Sequence, residues 1–499
     1  MSSEESLQSD SFCERIALAR SVSRTWEAEP VDARLERLRP LFAELRSRRD
    51  EIADLICEEN GKPRVEAVGH EVTTCLANLG FLIERAPEIL APRKQGLKWM
   101  PNRRAVLHRR AHGVVLVISP WNVPLAIPMG AVLASLIAGN AVILKPSEVT
   151  PRIGALVGDL LQCCSLPPGL VQIIQGDGAV GAALIDARPD KICFTGSVAT
   201  GRRVMAAAAQ HPIPVSLELG GVDAMIVCED ADLELAASAA AWGATFNGGQ
   251  VCASVERLLV QESVAEHFSQ LLTDKLERID QTEDLGRITM SRQREVYDAH
   301  IDDARERGLD VVLGGDYLDD SHMAPTLIQG EGILNSRVYR EETFGPVVTL
   351  VPFGRDADAV GLHNDSPYGL TASIFTRSRS RAQRMAGQLR TGLVSINDIG
   401  ATLHGHAEIP WGGVGASGFG RSHGEEGLLE ATWVQVIEES RWNGFEIKRP
   451  WWYPYDHRQQ EVIDGLTDVV GAECRRSRLS ALGRVGRSAA SMLTRSPRG

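Results

Sequence analysis

Between residues 113 and 230 the chain alternates short, almost uninterrupted apolar runs with helix-length segments: "GVVLVIS" (113–119), "NAVILKP" (140–146), "LVQIIQG" (170–176), "KICFTGS" (191–197), "PVSLELGG" (214–221) and "DAMIVCED" (223–230). A strand that is apolar on both faces needs cover on both, and strands separated by helices pair in parallel. The pattern therefore predicts an α/β fold on a Rossmann-like parallel sheet, whose ligands sit beyond the carboxyl ends of its strands. Each run ends there in polar or turn residues: Pro-Trp-Asn, Lys-Pro-Ser-Glu, Thr-Gly-Ser, Glu-Leu-Gly-Gly. From about Asp230 a second series follows, with "RLLVQE" (257–262), "VVTLVPF" (347–353), "LTASIFT" (370–376) and "GLVSIND" (392–398), and residues 11–90 show helical periodicity. Two lobes with a cleft between them are expected, a usual place for a small-molecule site.

Charge and composition narrow the function classes. The net charge of −12 argues against general nucleic-acid binding. Seven arginines and no acid follow Glu473, so the tail carries about +7 and the rest about −19. The longest apolar stretch, 124–139, is interrupted by Pro128 and Gly130 and reads as a buried helix, not a membrane span. The nine cysteines are odd in number, contain no C-x-x-C pair and follow no signal-like N-terminus, which predicts a reducing, cytoplasmic setting. The adjacent Cys163 and Cys164 have no His or acidic cluster beside them; they read as surface thiols at a helix end, and no metal site is expected.

One cysteine stands apart. In "GGQVCAS" (248–254), Cys252 follows two glycines and a glutamine, either a nucleophile or a small buried hydrophobe. Its context decides the matter. "SPWN" (119–122), "KPSE" (145–148), "FTGSVATG" (194–201), "LELGG" (217–221), "GGQVCAS", "EETFGP" (341–346) and "PWGGVGASGFGR" (410–421) occur in the order and spacing of the aldehyde dehydrogenase superfamily, which the chain resembles over roughly residues 11–445. Each residue taken singly keeps another reading: Glu218 as the partner of an arginine, Asn122 as an Asx-turn residue before Pro124.

The resemblance implies a two-lobed aldehyde dehydrogenase-like fold and oxidation of an aldehyde to a carboxylic acid with NAD, NADP being the alternative. Cys252 would be the nucleophile, forming a thiohemiacetal and then a thioester. Asn122 and the Cys252 backbone N–H would meet the developing oxyanion, and Glu218 would activate the hydrolytic water. The cofactor positions that match are Pro120, Trp121, Lys145, Ser147, Glu148, Gly178, Phe194, Thr195, Gly196, Ser197, Gly201, Leu219, Glu342 and Phe344. A carboxylate at Glu148 would accept from ribose hydroxyls and repel a 2′-phosphate, which favours NAD. The helix opening at 194–197 suits a pyrophosphate.

Departures accompany the matches. Val222 and Gly415 stand where lysines are common in the family, and Trp411 replaces a usual phenylalanine. No charged anchor for a dicarboxylic semialdehyde is visible, so an apolar or aromatic aldehyde is expected. Transfer of the acyl group to coenzyme A is the alternative reaction, disfavoured by Glu218, and a catalytically silent protein on the same fold is disfavoured by the presence of Cys252, Glu218 and Asn122. The expected domains are a cofactor-binding domain (1–95 and 114–217), a catalytic domain (218–427), oligomerisation segments (96–113 and 428–445) and an aromatic and basic extension (446–499). A homodimer or homotetramer is expected, its strands offered at an edge. The extension, with "WWYPY" (451–455) and Leu479, Leu482, Val485, Met492 and Leu493 among the arginines, offers peripheral contact with an anionic membrane; Gly483, Gly486 and Pro497 weaken a helix there, and disorder or self-docking is the competing reading.

Overall fold

The computed structural model describes residues 3–97, 103–440, 452–453 and 455–493. The chain forms two compact units, residues 1–93 with 107–435 and residues 94–106 with 436–499.

In the larger unit, helices from Ser3–Ala28 to Thr74–Ile89 precede the first sheet. That sheet runs in spatial order Gly418–Phe419, Val215–Glu218, Lys191–Thr195, Val114–Ile118, Ala141–Lys145, Val171–Ile173. All its pairings are parallel except Gly418–Phe419, which lies antiparallel to Val215–Glu218. Val114, Val115, Leu116 and Ala141 to Leu144 are fully or almost fully buried, as two-sided cover demands. The apolar stretch at 124–139 is the buried helix Ala126–Ala138, ended by Gly139 in the left-handed conformation.

The second sheet has the order Asp310–Leu313, Thr326–Gln329, Val347–Phe353, Val255–Gln261, Asp223–Val227, Thr371–Phe375, Leu393–Ile396. Its strands at 310–313 and 326–329 carry no long apolar run and were not expected. The chain passes straight from one sheet to the other through Leu219–Val222 and returns to the first at Gly418. Cys164 corrects one sequence expectation: it sits at the end of the short 3₁₀ segment Leu161–Cys164 but is buried in the core of the larger unit, and only Cys163 is partly open. A cysteine following a helix's apolar stripe packs as a small hydrophobe.

The smaller unit contains two helices, His457–Gly471 and Arg475–Leu493. Val462, Val469 and Ala481 are buried, and Val485 lies so close to Gly465 that a Cβ there would come within 2.7 Å. Gly483 and Gly486 do not interrupt the second helix, because the packed pair supplies what propensity lacks. Of the expected oligomerisation segments, Arg103–Ala111 and Thr432–Ser440 are strands, joined with Arg93–Gln95 in a three-stranded sheet. Positions 98–102 and 441–445, and Trp451, Pro454 and Pro497 of the extension, lie outside the described residues.

Candidate active site

Cys252 lies on the loop between the 3₁₀ turn Phe246–Gly249 and the strand Val255–Gln261. The loop's shape explains its glycines. Asn247, Gly248 and Gly249 all take positive φ (52°, 64° and 73°), and a Cβ on Gly249 would run into the Gly345 carbonyl of the "EETFGP" loop. The "LELGG" turn approaches from the other side: a Cβ on Gly221 would stand 2.5 Å from the Cys252 carbonyl oxygen. Glycine is what lets three loops converge on one thiol.

Asn122 follows the strand Val114–Ile118 and is buried. Its side-chain Nδ2 donates to the Gln250 carbonyl at 3.0 Å, two residues before Cys252. One of its two N–H bonds is spent there, leaving the second as a donor. The Asn122 carbonyl accepts from Lys62 Nζ at 3.0 Å and from Asn247 Nδ2 at 3.2 Å. Lys62 is itself paired with Glu71 at 2.6 Å, both side chains almost wholly buried, and the other Glu71 oxygen accepts from the Leu125 and Ala126 N–H groups at 3.1 and 2.8 Å. This anchoring was not read from the sequence. Lys62 and Glu71 lie in a helical region whose periodicity says only which face is buried. Gln250 was within view in "GGQVCAS": its buried Nε2 donates to the Asn247 and Arg287 carbonyls at 3.0 and 2.8 Å and stiffens the loop.

Glu218 ends its strand, half-buried and facing a cavity whose lining includes Ile127, Ala131, Phe194, His404 and His423. Ser422 Oγ donates to its Oε1 at 2.6 Å, so its hydrogen-bond partner is a serine and not the arginine of the alternative reading. Enclosure raises its pKa to about 7, opposed by the Ser422 bond and by Arg421. The Cys252 thiol is pushed well up, first by loss of solvation and then by Glu218, Glu342 and Asp223, so it rests protonated. Glu342 is raised to about 8 by burial, against a hydrogen bond from the Gly221 N–H at 3.1 Å.

Phe344 takes a positive φ of 53° and meets Trp121 edge-on at 5.5 Å. Its strained backbone is held by the buried Glu256, whose carboxylate accepts from the Thr343 and Phe344 N–H groups at 2.9 and 3.2 Å. Pro120 and Trp121 stand half-buried beside Asn122 in the chain.

The remaining predicted cofactor positions gather at strand ends of the first sheet. Lys145 ends the strand Ala141–Lys145, and its buried Nζ pairs with the half-exposed Glu148 at 2.8 Å. Ser147 is buried and accepts from the Val149 N–H at 3.2 Å. Phe194 and Thr195 close the neighbouring strand, Gly196 turns, and Ser197 caps the helix Val198–Ala209 by accepting from Thr200. The first N–H groups of such a helix have no partner within it and form an anion site. Gly201 packs on buried Leu219, whose Cδ2 would lie 2.5 Å from a Cβ. Gly178 opens the helix Gly178–Asp186, whose own first N–H groups are taken by the Asp177 side chain. Strand ends, a small-residue helix opening and a Lys–Glu pair fit a dinucleotide. Among the described residues no cluster of His, Cys, Asp and Glu could hold a metal ion.

A second, aromatic slot borders the Cys252 loop. His70, Trp242 and Phe246 pack with ring centroids 4.4 to 5.8 Å apart, and Val65, Ala241, Ile279, Glu66 and Asp284 complete its walls. His70 is held down to about 4 by burial and by Lys62, so it is neutral.

Comparison with known proteins agrees with this architecture. The model of the aldehyde dehydrogenase family matches residues 5–437. The chain is 42% identical over 468 residues to 4,4'-diapolycopene aldehyde oxidase of Methylomonas sp, covering 92% of this chain and 87% of that one. It is 36% identical to a protein of Mycolicibacterium smegmatis provisionally named succinate-semialdehyde dehydrogenase [NADP(+)], covering 85% and 84%. A crystal structure of betaine aldehyde dehydrogenase from Staphylococcus aureus in complex with NAD+ superposes with a TM-score of 0.82 at 30% identity, covering 88% of this chain and 89% of that one. The chain belongs to the aldehyde dehydrogenase family and is an oxidoreductase of that family.

Proposed function

We propose that this protein oxidises an apolar aldehyde to its carboxylic acid with NAD, NADP being the alternative cofactor. The observation that supports it is the convergence of Asn122, Glu218 and Glu342 on the loop that presents Cys252. The Cys252 sulfur passes its proton to solvent water and bonds to the aldehyde carbon. The oxygen turns negative within reach of the free Asn122 N–H and the Cys252 backbone N–H. Bound NAD supplies the acceptor for the hydride that leaves this carbon. Glu218 takes a proton from water, the hydroxide oxygen bonds to the thioester carbon, and the C–S bond breaks to release the acid. Lys145 and Glu148 would hold the adenosine ribose, the opening of the helix Val198–Ala209 the pyrophosphate, and Glu342 and Phe344 the nicotinamide end. The Glu148 carboxylate, paired with Lys145 on one oxygen, disfavours a 2′-phosphate.

The aromatic slot speaks for the substrate class. Neutral His70, Trp242 and Phe246 offer flat apolar surface, Glu66 is raised by burial to about 8, and the same walls carry the carboxylate of Asp284 but no lysine or arginine to pair with a substrate carboxylate. Arg421, beside Glu218, has its guanidinium on the Gly413 and Gly420 carbonyls at 3.0 and 2.7 Å. A long or conjugated aldehyde fits these walls better than a semialdehyde, in line with the name of the 42% identical relative. The test is NADH formation, followed by absorbance, with a conjugated polyene aldehyde, a long saturated aldehyde, benzaldehyde and succinate semialdehyde. Fastest turnover of an apolar member supports the reading. Preference for the semialdehyde would overturn the substrate class, and silence with all four would overturn the activity.

Assembly and placement belong to the same reading. Val436 and Ile437 are exposed on the strand Thr432–Ser440, which suits pairing into a homodimer or homotetramer. On the helix Arg475–Leu493, Leu479 and Leu482 are exposed in a segment with arginines and no acid, which fits peripheral contact with an anionic membrane from a cytoplasmic setting. No described helix is long and apolar enough to cross a membrane.

A further inference from the structure

The proposed base is not free in its cavity. Ser422 Oγ donates to Glu218 Oε1 at 2.6 Å, and the donor is itself clamped. The Ser422 N–H donates to the Trp411 carbonyl at 2.8 Å and its carbonyl accepts from the Trp411 N–H at 2.7 Å. Gly427 presses on the same backbone, so that a Cβ there would lie 2.5 Å from the Ser422 carbonyl carbon. The next residue, His423, is turned into the left-handed region at φ 58° before the helix Gly424–Glu430 begins. A hydroxyl on so constrained a backbone is offered from one place.

We infer that Ser422 is the positioning residue of the hydrolytic step, its hydroxyl fixing one oxygen of the Glu218 carboxylate so that the other is presented to water. This rests on the reading of Glu218 as the base. The chemistry follows from the bond: a hydroxyl that donates to a carboxylate stabilises its charged form, and that form is the one able to accept a proton. Without the donor, Glu218 would stay protonated to higher pH and its oxygens would no longer be oriented.

Several other polar groups face Glu218. Arg421, on the same loop, is held by backbone carbonyls. His404, from the segment Gly400–Gly405, and His423 are neutral, the first held well below its usual range and the second down to about 4 by burial. Cys193 on the neighbouring strand is raised by burial to about 11, and Cys252 is raised further. Glu430 behind them is half-buried, its pKa held down by Ser216 at 2.7 Å and Lys191 at 3.0 Å against the effect of burial. Near neutral pH, Glu218 is therefore the group in this cavity whose titration Ser422 controls.

The experiment compares the full-length wild type with Ser422→Ala, Ser422→Cys and Ser422→Thr, reading the NADH burst and the steady-state rate across pH with saturating NAD and the best apolar aldehyde. In Ser422→Ala the burst is expected to persist while the midpoint of the steady-state profile moves up by about one pH unit, the size of a lost charge-assisted hydrogen bond. At neutral pH kcat falls by roughly fivefold, with KM for NAD unchanged. Cys should lie between, and Thr, which keeps the hydroxyl, should return the midpoint to within a few tenths of a unit. A wild-type midpoint in both Ala and Cys, or Thr displaced as far as Ala, would overturn the role of Ser422. Failure of the underlying reading looks different: Glu218→Gln would then retain wild-type steady-state turnover.

Discussion

Replacing Lys62 by methionine should damage the enzyme without touching any atom of the reaction. Lys62 Nζ lies 2.6 Å from Glu71 Oε1 and 3.0 Å from the Asn122 carbonyl, and its side chain is 1% exposed. Methionine fills much the same volume but leaves Glu71 charged in a fully buried place. Breaking a buried pair in this way costs about 3–5 kcal/mol. The two N–H groups that Leu125 and Ala126 offer to the other Glu71 oxygen soften the loss, which puts the expected cost at about 3 kcal/mol. The Asn122 carbonyl keeps its bond from Asn247, so the side-chain donor should be displaced but not lost. Complete removal of an oxyanion donor costs about 10²–10³ in kcat; partial displacement should cost roughly tenfold. The assays are denaturant unfolding followed by circular dichroism, and steady-state NADH formation with KM for NAD measured separately. A transition midpoint indistinguishable from wild type, together with kcat within twofold, would refute the claim that this buried pair anchors Asn122.

Cys252→Ser should abolish aldehyde oxidation while NAD binding, measured by fluorescence quenching, survives; near wild-type turnover would exclude a covalent thiol route. Glu218→Gln should give a burst of about one NADH per site followed by a slow steady state, and a lost burst would place Glu218 before hydride transfer. As the proposed base, Glu218 would act only when ionised, so with its pKa raised to about 7 the wild-type hydrolytic rate should rise through that pH and fall away below it; a flat profile between acid and neutral pH would contradict the assignment. Light scattering should return a multiple of the 54.2 kDa chain mass, and the monomer mass at micromolar concentration would count against the oligomer. Anionic liposomes should sediment the full chain but not a version ending at Glu473; equal behaviour of the two would dispose of the membrane contact.

How far the sequence reaches can be judged residue by residue. Apolar runs such as "NAVILKP" declare buried parallel strands because only a strand covered on both faces tolerates so many consecutive hydrophobes. Seven ordered motifs brought Cys252, Glu218 and Asn122 into view, since the turns that carry them need glycine or proline at set places. Weakly apolar strands such as Asp310–Leu313 leave no such mark. Neither does burial of Cys164, which depends on what packs beside it.

What remained to the tertiary structure is every relation between residues distant in the chain. Lys62 and Asn122 are separated by 60 residues, and Glu218 and Ser422 by 204, yet each pair shares a hydrogen bond. Local sequence determines backbone preference and which face of an element is apolar. It does not determine which buried carboxylate meets which donor, because that choice is made when elements dock and unpaired polar groups are penalised. The candidate nucleophile, Cys252, was visible from its loop; the arrangement proposed to hold Glu218 and Asn122 in place emerged only when the two sheets and the N-terminal helices came together.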